Sequence, residues 1–106
     1  MRYRPSAEMP RMAERRYEWD EAKRIENLVR HGVDFRAATG FNWESAVIFD
    51  DRRRNYGEAR FLAYGALAGR LHVLVHTLRS ERTRVISLRK ANRRERAAYT
   101  KGAGPA

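Results

Sequence analysis

Apolar and polar positions repeat with two different periods along this chain, and the change of period divides it. Residues 16–19 (RYEW) predict a short strand. Asp20 then caps a helix in which Ala22, Ile25, Leu28 and Val29 follow three-and-four spacing, which predicts one buried stripe. Gly32 stops that helix at the left-handed position past its last turn. Asp34 caps a second, short helix through Phe35 and Ala38, ending near Gly40. Beyond it the period shortens to two. Residues 45–49, 60–66, 71–77 and 83–88 are short runs of branched and aromatic side chains bounded by turn-forming or charged residues. Ala68-Gly69 and Ser80-Glu81 supply the hairpin turns, so the last three strands read as an antiparallel meander. From Asn92 onward, NRRERAAYTK returns to helical composition. The expected fold is a small α+β sandwich: an antiparallel sheet with a three-strand C-terminal meander, packed with N-terminal helices and a C-terminal helix.

All three prolines (Pro5, Pro10, Pro105) lie outside residues 11–104. We therefore expect a flexible extension at 1–16, one folded domain at 17–101 and a frayed tail at 102–106. An apolar content of 42% is enough for a single core in 106 residues. No cysteine is present, which removes disulfides and thiolate catalysis. The apolar runs are too short to span a membrane, and the basic N-terminus has no apolar stretch after it to make a secretory signal. The expected location is the cytoplasm.

Charge changes the picture more than composition does. The net charge is +10, and residues 79–96 alone hold eight basic side chains against two acidic ones. Residues 17–78 sum to zero, with nine of each sign. Charge focused on one stretch, and nearly all of it arginine, points to a polyanion with phosphate geometry. The planar guanidinium binds phosphate oxygens in pairs, and counterion release supplies affinity whatever the base sequence.

Four motifs carry candidate chemistry. Trp19, Lys23, Asn27 and His31 recur every four residues, so a helix keeps them on one slowly drifting face that can offer donors to a phosphate or a base edge; the alternative is a solvated face with Trp19 tucked over the core. His72 and His76 share a strand face with Leu74, a spacing open to a metal pair, to acid–base work or to a partly buried histidine. No cysteine or carboxylate at ligand spacing accompanies them, so we expect no metal and no cofactor. Glu58, in Tyr56-Gly57-Glu58, is either a general base or the counter-charge of Arg60 or Arg84. In the last strand, simple alternation puts Arg84, Ile86 and Leu88 on one side and Val85, Ser87 and Arg89 on the other. Arginine between apolar strand residues needs a partner or a ligand, and this favours phosphate binding over a ladder of surface charges.

In order along the chain, residues 17–20 (YEWD), Lys23, Asn27, 31–33 (HGV), Phe35, Asp51, Arg52, 56–58 (YGE), Arg60, Phe61 and Gly65 form an ordered set. It continues with His76, Thr77, 84–87 (RVIS), 89–91 (RKA), Arg94, Glu95 and Tyr99. In this set the chain resembles the BrnT toxins, type II toxin–antitoxin ribonucleases whose fold is related to the RelE group. The resemblance covers residues 17–101. Leu88, where the family often has alanine, and the sixteen-residue extension depart from it. It implies a small endoribonuclease that cleaves RNA and inhibits translation. It also implies a BrnA-type ribbon-helix-helix antitoxin in a two-plus-two complex that represses the shared operon through operator DNA, with no membrane partner.

Metal-free RNA cleavage needs a group to take the 2′-hydroxyl proton, one to protonate the leaving oxygen, and cations for the phosphorane. Arg79, Arg84 and Arg89 are the candidates for the cations, since guanidinium does not titrate. Glu58 is the candidate base, and His31, His76 or Tyr99 the candidate acid. Arg82, Lys90, Arg93 and Arg94 are expected in the binding groove, along with Lys23. Trp19, Trp43 and Tyr56 are expected as stacking faces for bases. The competing class is a basic RNA- or DNA-binding module with no catalysis, which explains the charge equally well.

Overall fold

The computed structural model describes residues 15–102 and the backbone of Arg2 and Tyr3. Its elements are β1 (Arg2–Tyr3), β2 (Arg16–Glu18), α1 (Glu21–His31), a 3-10 helix (Phe35–Gly40), β3 (Val47–Asp50), β4 (Phe61–Leu67), β5 (Arg70–Arg79), β6 (Arg82–Lys90) and α2 (Arg93–Thr100). All strands join one sheet in the order β1-β3-β4-β5-β6-β2, antiparallel except for the β2–β6 pair. The α+β class is as expected.

Two details correct the sequence reading. The segment after Asp34 is a 3-10 helix, with Asp34 accepting from the Arg36 N–H. The first sixteen residues are not wholly an extension: Arg2 and Tyr3 pair with Phe49 and Ile48, and Arg15 is buried. Residues 4–14 and 103–106 lie outside the described residues.

The hairpin turns follow from backbone conformation. Ala68 and Gly69 both have positive φ (51° and 76°), the pattern a two-residue loop needs to match strand twist, and Leu67 pairs Arg70 across it. Ser80 takes φ 55° in the second turn.

The sheet has two covered faces. On the first, Ile48, Ala63, Leu67, Leu74, Val85 and Leu88 pack under Phe35, Ala38, Phe41 and Trp43. Gly65 makes room there, since a Cβ at this position would sit 2.6 Å from the Phe41 ring. On the second, Tyr64 and Val73 join Ala91, with Phe49, Leu62, Leu71 and Tyr99 packed against them.

Simple alternation fails in β6. Val75 pairs with Ser87, but the next residue, His76, pairs with Val85, so Ile86 has no partner on β5. This is a bulge: two residues of β6 face one of β5. Val85 and Leu88 therefore both enter the first core, and the expected grouping of Arg84 with Leu88 is overturned. Arg84 instead pairs Thr77, and Arg89 pairs Val73, on the second face.

The helix α1 also departs from its pattern. Asp20 accepts from the Lys23 N–H, and Gly32 closes the end at φ 71°. Yet the stripe expected to be buried points outward: Ile25 is 50% exposed and Val29 82% exposed. The residue that α1 buries is Asn27. β2 pairs β6 only from Arg82 to Arg84. Further along that edge Asn27 takes the place of a strand, donating Nδ2–H to the Leu88 carbonyl (2.7 Å) and accepting from the Leu88 N–H (3.2 Å). It also donates to the Val33 carbonyl at 2.9 Å. Three buried backbone groups depend on one amide, and this outweighs the small gain from burying Ile25 and Val29.

Asn27→Ala should lower unfolding stability by about 2–4 kcal/mol, because each orphaned buried group costs about 1 kcal/mol or more. Urea denaturation checks this as a lower midpoint at unchanged slope. An unchanged midpoint would mean that the edge needs no partner.

Candidate functional site

The second sheet face gathers guanidinium groups that are paired with carboxylates. Register sets the first pair. Parallel pairing places Glu18 opposite Arg84, and Arg84 donates to its carboxylate at 3.0 Å, with Arg82 at 3.7 Å from the same group. Arg89 gives two N–H groups to Glu95, both at 2.8 Å. Glu95 also closes the capping box of α2: it accepts from the Asn92 N–H while the Asn92 side chain accepts from the Glu95 N–H. The Arg89 bonds are the main reason why the Glu95 carboxyl lies below its ordinary pKa.

Tyr64, 4% exposed, lies among these groups. Burial raises its phenol pKa first, the Glu95 charge raises it further, and Arg89 and Arg53 pull it back. The 51–60 loop completes the surroundings. Buried Asp51 takes Arg53 at 2.7 and 2.8 Å and the Tyr56 hydroxyl at 3.0 Å, and the Arg53 bonds are the largest of the causes that lower its carboxyl to about 2. The Arg60 guanidinium lies 4.1 Å over the Tyr56 ring. Glu58 sits between Arg79 (3.3 Å) and Arg60 (3.5 Å), so its counter-charge partners are these two and not Arg84. A cleft of about 440 Å³ opens here, lined by Asp51, Arg52, Arg54, Tyr56, Glu58 and Arg60.

The sequence candidates therefore separate. Arg84 and Arg89 share the second face, with side chains 25% and 31% exposed. Arg79 and Glu58 meet at its hairpin end. Arg82, Lys90, Arg93 and Arg94 are exposed, the last two in the first turn of α2. Tyr99 donates its hydroxyl to the Ser45 carbonyl at 2.6 Å and packs beside Tyr64 and Val73. His31 ends α1; its pKa is lowered by desolvation, then by Arg30 and Arg89.

The remaining candidates lie elsewhere. His76 is fully buried in the first core, between the rings of Trp43 (5.1 Å) and Phe61 (5.6 Å), where no substrate meets it. Trp43 is buried too: its indole N–H bonds the Tyr17 hydroxyl and Arg15 covers its ring at 3.8 Å, so it offers no stacking face. Trp19 packs edge-on to Phe35 and donates to Glu21, on the α1 side with exposed Lys23. His72, the other strand histidine, is buried with Nδ1 2.8 Å from the Arg70 carbonyl. Among the described residues no group of three His, Cys, Asp or Glu side chains is placed to hold a metal ion. No helix is long and apolar enough to cross a membrane.

The ordered set held Glu18, Asp51 and Glu95 without giving them a role, and Arg53 and Tyr64 were not in it. Glu95 carried a usable signal, the Asn-x-x-Glu capping pattern. Glu18 stood in the YEWD motif, but its role depends on a parallel pairing across most of the chain.

Arginines gathered on one sheet face of a basic α+β domain suit contacts with phosphate oxygens. The family model for the ribonuclease toxin BrnT, of type II toxin–antitoxin systems, matches residues 19–95, and the chain belongs to this family. No curated protein matches it.

His76 gives the fold a pH dependence. Burial is the main cause that lowers its pKa from 6.5 to about 4, so between these values the unfolded chain binds the proton more readily. The stability that this group contributes is present above pH 6.5 and is lost as pH drops towards 4. His76→Leu should flatten the urea midpoint against pH in this window, with His31 leaving a slope of the same sign. A curve as steep as wild type would place the titration elsewhere.

Proposed function

We propose that this toxin is an endoribonuclease that cleaves RNA by 2′-hydroxyl attack without a metal ion, using the second sheet face. The observation that carries the reading is the convergence of Arg84 and Arg89 on that face, each oriented by its own carboxylate. Arg84 spends one N–H on Glu18, which leaves donors for phosphate oxygens. Fixed cations aimed at charge that develops on a phosphorane need no reorganisation in the transition state. Glu58 and His31 remain partly exposed, which suits them to proton transfer. Tyr56, backed by Arg60, offers a ring to a neighbouring base, and Arg93 and Arg94 offer charge to flanking phosphates. Family membership supports the remainder: a ribbon-helix-helix antitoxin neutralises the toxin in a two-plus-two complex, and together they repress their operon from the cytoplasm.

Arg84→Ala and Arg89→Ala should each slow RNA cleavage by roughly 100- to 1,000-fold with the fold retained. Wild-type protein in excess chelator should leave fragments with cyclic-phosphate ends. Protein that binds RNA but yields no such fragments is a binding module, and the proposal fails. Full toxicity of a soluble Arg84→Ala protein also defeats it.

Binding by a non-cleaving variant should fall steeply with salt. Neutralising both Arg93 and Arg94 should reduce the log–log slope by about 1.4, at roughly 0.7 per phosphate contact on single strands. An unchanged slope removes these two residues from the RNA path.

A further inference from the structure

Among the described residues, nothing packs on the most apolar side of α1. At 100° per residue, Ala22, Ile25 and Val29 cluster on one side of the helix and Asn27 lies on the other. Ile25, Leu28 and Val29 are the large hydrophobic residues left exposed among the described residues, at 50%, 39% and 82%. Single exposed aliphatics are ordinary, but three within five residues of one helix form a patch. Ala22, Ile25 and Val29 stand in the i, i+3, i+7 order by which one helix engages another. We propose that this stripe is the docking surface for an acidic, amphipathic helix of the antitoxin, an inference that rests on the chain's being an antitoxin-neutralised toxin.

Charge selects this occupant. RNA has no aliphatic surface to offer the stripe. A second copy of the chain would bring +10 against +10. Lys23 and Arg30 are neighbours on one flank, exposed and without an ion-pair partner among the described residues, while Glu26 lies between them and the stripe. The cations of the opposite side are already engaged: Arg24 bonds both Glu21 and Asp34. An apolar ridge with carboxylates along one side therefore satisfies what α1 leaves open. The stripe faces away from Asn27 and the sheet, so this contact is separate from the arginine face. The far end of α1 approaches that face, since His31 feels the Arg89 charge. An antitoxin anchored on α1 can thus continue past His31 towards the arginines.

The test uses the full-length toxin and the antitoxin encoded with it, both purified. Ile25→Glu/Val29→Glu should weaken their affinity at least 100-fold in calorimetry, with RNA cleavage, circular dichroism and urea midpoint unchanged. Arg30→Glu should slow association and reduce its salt dependence. In cells, the double variant should stay toxic when the antitoxin is co-expressed. Wild-type affinity in the double variant overturns the proposal. So does a wild-type dimer in sedimentation that the double variant splits while antitoxin affinity is kept, because the stripe then belongs to a second copy. Ile25→Ser/Val29→Ser provides the same comparison if the glutamates unfold the helix. Calorimetry does not depend on cleavage, so a wild-type toxin that fails to cut RNA defeats the ribonuclease reading without touching this one.

Discussion

One unpaired residue, Ile86, decides which side of the sheet every later residue of β6 faces. Side chains alternate strictly along a strand, so an extra residue exchanges the two faces beyond it. In an unbroken strand, either Val85 or Leu88 would leave the first core. Arg84 and Arg89, five positions apart, would also fall on opposite faces. The bulge puts both apolar residues under the helices and both arginines on the other side. Core and site are thus not independent solutions in this protein. Filling the bulge or deleting Ile86 would damage both together.

The same stretch explains how α1 docks. β6 is left unpaired at its outer edge once β2 ends opposite Arg84. An exposed strand edge invites pairing with other chains. Asn27 closes it at Leu88 with the two hydrogen bonds that a strand residue would make. Choosing the helix face by an amide and not by a stripe is what turns Ile25 and Val29 outward. The exposed patch is therefore a consequence of edge protection.

How far the sequence disclosed this depends on how local each feature is. The Asp20 cap, the Gly32 stop, the Ala68-Gly69 turn and the four main strands follow from neighbouring residues, and the structure has them within a few positions. The α1 stripe misled because periodicity reports an apolar face without saying what covers it. The faces of β6 misled because no residue type announces a bulge at Ile86. His76 sat on the expected strand face, but only the closing of Trp43 and Phe61 over it determined that it is core. The arginine cluster was legible as charge, whereas its partners Glu18, Asp51 and Glu95 emerged from pairing and loop closure.

Those partners also limit what the cluster is for. Ion pairs with half-exposed arginines contribute about 0–1 kcal/mol each, too little to account for these three carboxylates. Their effect is on position: a guanidinium with two N–H groups fixed on Glu95 keeps its remaining donors in one direction. Glu95 does this while capping α2, so the helix that starts with Arg93 and Arg94 cannot shift without moving Arg89. The helix start and the β6 arginine are thus tied together through Glu95, with the buried Tyr64 phenol close by. The arginine-rich stretch at 79–96 is accordingly less a uniform basic surface than two parts. Arg84 and Arg89 are held by carboxylates on the second face, whereas the cations at the start of α2 stand exposed.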